Sequence, residues 1–158
     1  AARLEGAPSG IRPCRGASGG GGDRRPGGPL RTLAGVHWGG LKPIEQARRI
    51  AALAQDKLAR DVVILDMRPV CTYTDYFVVC TGNNARQTKA IWDEVHVRLK
   101  HDNRILPRSV EGEGEATWII ADYLDVVLHV FTPESREFYR LEELWDDVPH
   151  ESLEAAAG

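Results

Sequence analysis

The sequence predicts an α/β fold of the α+β kind: a mixed β-sheet of four to five strands with flanking helices. Three observations carry that expectation. Apolar residues recur at helical spacing in three places, short β-rich runs stand in two pairs between them, and the resulting order α-β-β-α-(β)-β-β-α interleaves the two kinds of element.

The first helix begins at Pro43, a residue suited to a first turn, and Ile44, Ala47, Ala51, Ala54 and Leu58 make its apolar stripe. "DVVILDM" and "DYFVVCTG" are then short runs of strand-forming residues, expected as neighbouring strands. In "NNARQTKAIWDEVHVRLKHD" Asn84 can cap a helix, with Gln87 three residues on as in a capping box; Thr88, Ile91, Trp92, Val95 and Leu99 form one face. Trp92 belongs to the core on this pattern, and His96 falls at the solvent edge of the stripe. After "NRILPRSVEGEGEA", a loop with one short strand, "TWIIADY" and "DVVLHVF" read as a hairpin. Thr132 and Pro133 open a final helix with Phe138, Leu141 and Trp145 on one face.

Composition divides the 158 residues into unlike parts. Residues 1–40 hold 12 of the 16 Gly and six Arg against two acids, without apolar periodicity, and are expected to be a disordered tail. Their Arg-rich, acid-poor character is also that of an organellar transit peptide, although no amphipathic helix is sustained. A folded domain is expected over 41–148, with a disordered C-terminal tail over 149–158. Residues 41–158 carry 14 Lys and Arg against 21 Asp and Glu, a net −7 that repels nucleic acid and suits a basic protein partner. No basic stripe stands out beyond the N-terminal segment, and no apolar run reaches the ~18 residues a membrane helix needs.

Enzymatic readings lack their carriers. The chain has no G-x-G-x-x-G after a strand, no phosphate-binding loop, no H-E-x-x-H and no G-x-S-x-G. Its cysteines show no C-x-x-C spacing for zinc, and Cys80, ending "YFVVC", reads as a buried small hydrophobe. "CTGNNARQ" resembles the strand-to-helix turn of nucleotidyltransferases, which need two carboxylates two apart on a following strand to hold divalent metal. Here the following carboxylates, Asp93 and Glu94, are adjacent on a helix and diverge by about 100°. A nucleotidyltransferase-related enzyme acting on a nucleotide or tRNA is therefore the alternative reading only.

The hairpin holds the richest constellation. If "DYLD" is a two-residue turn, Asp122 and Asp125 flank it as cross-strand neighbours, and alternation sets Asp125, Val127, His129 and Phe131 on one face. Carboxylates beside a tight turn are expected to be solvated, and His129 alone supplies too few ligands for a metal. Glu111, Glu113 and Glu115 alternate with Gly without the spacing of a calcium loop, and suit contact with Arg or Lys of a partner.

Three stretches carry a family resemblance. "LDMRPVCTYTDYFVVCTGNNARQTKAI", "EGEGEATWIIADYLDVVLHVF" and "REFYRLEELWDD" match, in order and spacing, the signatures of the ribosomal silencing factor (Iojap) family over residues 43–148. The resemblance implies a nucleotidyltransferase-like fold without catalysis or cofactor. It also implies binding to the large ribosomal subunit through its protein fourteen, which blocks subunit joining and represses translation. A homodimer of the free chain, a secondary contact with ribosomal RNA and a cytoplasmic location go with it, with mitochondrion or chloroplast as the alternative if residues 1–40 are a transit peptide. The residues it offers for partner binding are Asp75, Tyr76, Glu111, Trp118, Asp122, Asp125 and His129, with Trp118 either in the core or at the interface. Leu124 stands where the family's "DYGD" has Gly. Leucine does not readily take the positive φ of many two-residue turns, so a different or longer turn is expected.

Overall fold

The computed structural model describes residues 41–153; the expected N-terminal tail lies outside them, as do residues 154–158 of the expected C-terminal tail. Helix α1 spans Pro43–Asp56 and buries Gln46, Ala47, Ile50, Ala51, Leu53 and Ala54. Of the expected stripe Ala47, Ala51 and Ala54 are buried and Ile44 partly so, whereas Leu58 falls beyond the helix end at a left-handed φ of 63° and is 76% exposed. Pro43 sits in its first turn, and the Glu45 carboxylate accepts the Lys42 N–H at 2.9 Å. Strands β1 (Arg60–Asp66) and β2 (Tyr76–Thr81) follow and pair antiparallel, with a bulge between Arg60 and Val63.

Helix α2 runs Ala85–Arg98. The Asn84 side chain accepts the Gln87 N–H at 2.9 Å, and the Gln87 side-chain oxygen accepts the Asn83 N–H at 2.7 Å, so the capping box forms. The chain continues through a π-turn, Leu99–Asn103, into β3 (Ser109–Glu111), β4 (Trp118–Asp122) and β5 (Val126–Phe131). Helix α3 (Pro133–Tyr139), a 3₁₀ turn (Leu141–Trp145) and β6 (His150–Leu153) complete it.

The sheet has six strands in the order β3-β4-β5-β2-β1-β6, and β2 pairs with β5 in parallel while the other neighbours are antiparallel. The two central strands are buried along their whole length, as their unbroken apolar runs require of strands covered on both faces. On the first face, Val62, Ile64, Val78, Cys80, Leu128 and Val130 pack with Ile50, Leu53, Ile91, Trp92 and Val95 of the two long helices. On the second, Leu65, Phe77, Val79, Trp118, Ile120, Val127 and Phe131 pack with Met67, Cys71, Leu141 and Val148. Burying each such aliphatic or aromatic side chain contributes roughly 1.5–3 kcal/mol relative to exposure.

Three further expectations are corrected. The final helix does not run through to Trp145: Arg140 adopts a left-handed conformation (φ 46°) that ends α3 and redirects the chain. Leu141 is thereby buried on the second face, whereas Phe138 stays 74% exposed instead of sharing its face. Residues 150–153 are not tail. Without them β1 would be an unpaired edge, and they pair antiparallel with it from Leu65–His150 to Val62–Leu153. This short strand, with Leu153 its only large apolar residue, raises the count from the expected four to five strands to six.

Candidate functional site

Backbone register sorts the candidate residues. Glu111 stands opposite Ile120, and Asp122 lies two residues further along β4, so Glu111, Trp118, Asp122 and His129 all project from the second face. Tyr76 projects from the first face instead. Asp75, Tyr76, Asp122 and Asp125 meet at the hairpin tip.

The turn differs from the expected one. Register pairs Asp122 with Val127, not with Asp125, and Tyr123 N–H donates to the Val126 carbonyl at 2.8 Å. Leu124 and Asp125 are therefore the turn residues. Asp125 N–H donates to the Tyr123 carbonyl at 3.0 Å, closing a γ-turn around Leu124, which does take a positive φ of 76°. Hydrogen bonds hold the leucine there. Asp122 accepts the Leu124 N–H at 2.8 Å, and the Asp125 carbonyl accepts Asp75 N–H (2.9 Å), Tyr76 N–H (3.1 Å) and the Thr74 hydroxyl (3.0 Å).

These bonds also settle exposure. Asp125 is 8% exposed and Asp75 likewise, so neither is the solvated turn carboxylate that the spacing suggested. Asp122 is half-buried and accepts from the Arg108 guanidinium at 3.0 Å. Tyr76 is buried with the Arg68 guanidinium 5.3 Å from its ring centre; burial raises its phenol pKa.

Trp118 and His129 are each 2% exposed and belong to the interior of the second face. The Trp118 ring stacks on Phe131 (4.7 Å between centres) and tilts against Tyr139 (4.5 Å), while His129 meets Phe77 edge-on at 4.7 Å. Trp118 is thus a core residue that supports an outer aromatic layer. Burial pushes the His129 imidazole down to about 3, so the ring is neutral in the fold.

The acidic "EGEGE" loop is tied down. Glu113 accepts the Trp92 indole N–H at 2.6 Å and lies 3.6 Å from the Lys89 ammonium. Gly112, at φ 86°, passes so close to the Trp118 carbonyl that a Cβ would lie 1.9 Å from it; Gly114 faces open space. Only the first glycine is needed by the backbone.

Catalytic readings find no geometry among the described residues. Asp93 pairs with Lys89 and Glu94 with Arg98 and Lys57 along α2, and no group of three His, Cys, Asp or Glu side chains could hold a metal ion. Burial pushes the Cys80 thiol up to about 12, which removes it as a nucleophile.

Residues 41–157 match the model of the family described as "Ribosomal silencing factor during starvation". The chain belongs to the ribosomal silencing factor family. It is 40% identical over 104 residues to the ribosomal silencing factor RsfS of Bacillus subtilis, covering 66% of this chain and 87% of that protein. It is also 34% identical over 101 residues to the mouse "Mitochondrial assembly of ribosomal large subunit protein 1", covering 61% of this chain and 43% of that protein. The fold is shared with a crystal structure from Chromobacterium violaceum, at TM-score 0.65 and 29% identity over 74% of this chain and 98% of that one.

In this member of the family, the residues that sequence reasoning missed are those of the outer layer. Val70, Tyr73, Tyr139, Leu144 and Trp145 are partly buried against the second-face core, and Phe138 stands exposed beside Tyr139. The segment from Glu134 to Asp147 adds six carboxylates against two Arg. The signal lay in "REFYR": adjacent aromatics on a short helix cannot both face the core. Arg136 was missed as well. It is 14% exposed and binds Glu142 (2.6 Å), the Asp61 carbonyl (2.6 Å) and the Thr81 hydroxyl (2.7 Å), fastening α3 to the ends of β1 and β2.

Proposed function

We propose that this chain is a ribosomal silencing factor that docks on the large ribosomal subunit through its protein fourteen and obstructs joining of the small subunit. Translation is then repressed by steric exclusion, with no chemical step. The observation that carries this reading is the family match over residues 41–157, together with 40% identity across 87% of a bacterial silencing factor.

The second sheet face suits such a partner. Partly exposed Tyr73, Tyr139, Leu144 and Trp145 and the exposed Phe138 offer aromatic anchors, and carboxylates of the same face and segment, among them Glu111, Asp122, Glu137 and Glu143, complement a basic ribosomal protein. Trp118 and His129 act from beneath as the support of that layer. Asp75, Tyr76 and Asp125 act by holding the hairpin tip in shape. A cytoplasmic site of action goes with this reading, supported by the 40% identity to the Bacillus silencing factor.

The test is co-sedimentation of the purified chain with isolated large subunits, followed by addition of small subunits on a sucrose gradient. The expected result is co-migration with large subunits and a reduced joined-ribosome peak. Failure to co-sediment, or saturable turnover of a nucleoside triphosphate with magnesium, overturns the reading.

A further inference from the structure

The acidic domain contains one compact cationic loop. Residues 98–108, "RLKHDNRILPR", hold Arg98, Lys100, Arg104 and Arg108 against the single acid Asp102, a net +3 within a region (41–158) whose total is −7. The fold gathers these charges. Helix α2 passes into the π-turn Leu99–Asn103, and the Ile105 N–H returns to the Leu99 carbonyl at 3.0 Å, closing the loop. Leu99 and Ile105 are buried and anchor its two ends, while Lys100, His101 and Arg104 stand exposed between them. Arg49 reaches in from α1, so Asp102 is shared by Arg49 (3.0 Å) and Arg98 (3.1 Å).

The helix dipole accounts for cations in the last turn of α2, and Asp122 accounts for Arg108, which it binds at 3.0 Å, but neither accounts for Arg104. Arg104 also holds a left-handed conformation (φ 56°) that Gly or Asn would adopt more readily. Among the described residues, neither Lys100 nor Arg104 enters an ion pair, so their charges face solvent uncompensated.

We propose that this loop is a contact for the phosphate backbone of RNA. Arg98 is held by Glu94 and Asp102 and Arg108 by Asp122, so Lys100 and Arg104 carry the free charges. The Arg104 guanidinium is a planar fork that matches phosphate oxygens, and Val97 and Leu106, 56% and 59% exposed, flank the two in sequence and offer apolar contact to sugars. The partner is RNA and not an acidic protein because the proposal rests on the docking reading above: a chain seated on a protein of the large subunit is surrounded by ribosomal RNA. The contact fixes orientation and reads no sequence.

The chain's four lysines, Lys42, Lys57, Lys89 and Lys100, allow a direct test on the full chain. Amine acylation followed by mass spectrometry, with and without a short RNA hairpin, should show protection of Lys100 alone, severalfold in rate. In fluorescence anisotropy, Lys100→Gln with Arg104→Gln should weaken RNA binding about tenfold and flatten the slope of log affinity against log salt by about 1.5, the loss of two phosphate contacts. Acylation unchanged by RNA, or an unchanged salt slope, overturns the proposal. So does equal protection by polyglutamate, which would assign the loop to an acidic protein. Protection of Lys100 without co-sedimentation on large subunits would sink the docking reading and leave the RNA contact standing; co-sedimentation without protection would do the reverse.

Discussion

The indole N–H of Trp118 donates to Nδ1 of His129 across 3.3 Å inside the second face of the sheet. Because an indole only donates, His129 must present Nδ1 as a lone pair and carry its proton on Nε2, which finds no partner among the described residues. Protonating this ring places a second hydrogen against the indole and a charge in an apolar layer. A folded-state value of about 3 lies well below the ~6.5 of an unfolded histidine. The unfolded chain therefore binds more protons between those limits, so stability is complete above pH ~6.5 and is lost as pH falls toward 3, at up to about 1.4 kcal/mol per unit. Denaturant melts from pH 7 to 4 should show this slope, and His129→Gln should remove most of it; equal slopes for both proteins would refute the assignment.

Trp118→Ala should cost about 3–5 kcal/mol, since the ring is buried between Phe131 and Tyr139. Its effect on subunit binding should appear only through loss of fold. A variant with an unchanged melt and lost binding would instead make Trp118 a direct contact.

Phe138→Glu tests the outer layer. The side chain is 74% exposed, so the melting temperature should move by no more than a degree or two. Binding to large subunits should weaken by about 2 kcal/mol, roughly thirtyfold, if this aromatic is an anchor. Unaltered binding would shift the docking surface away from α3.

The two glycines of "EGEGE" should respond oppositely. Gly112→Ala drives a Cβ into the Trp118 carbonyl at a left-handed φ and should destabilise by more than about 2 kcal/mol. Gly114→Ala meets open space and should be neutral or stabilise by up to ~1 kcal/mol. Equal losses would mean that the loop is not held as described.

Helices α1 and α2 and the four long strands were legible because each carries a strong local pattern; the Asn84–Gln87 cap even places the start of α2 within a residue. The sixth strand was not, because "HESL" has no β signal of its own and forms through the open edge of β1. The break at Arg140 was hidden for a related reason: Phe138, Leu141 and Trp145 satisfy helical spacing, and only tertiary packing of Leu141 favours the left-handed turn. At the site, spacing alone placed Val127, His129 and Phe131 on one face. It could not tell which layer would cover them, so Trp118 stood between core and interface. The basic loop at 98–108 escaped notice because its cations are interleaved with Leu99, Asp102, Ile105 and Leu106, and sequence alone does not show that Lys100 and Arg104 stay exposed while Arg98 and Arg108 find carboxylates.

The parallel pairing of β2 with β5 joins residues fifty positions apart, Tyr76 with Val126 through Thr81 with Phe131. Closing a loop of that length costs on the order of 3–4 kcal/mol of chain entropy before any contact between the strands repays it. The β4–β5 hairpin, by contrast, closes across a turn of two residues, so it should form first, take up β3 on its β4 side and wait with the β5 edge free. Acquisition of β2 along that edge is then the slow, committing event of folding, and conservative truncations in β2 and β5 should retard refolding while those in β6 chiefly accelerate unfolding. A newly made chain would thus expose its most apolar strand until the two halves of its sequence meet, making this factor a slow folder for its size.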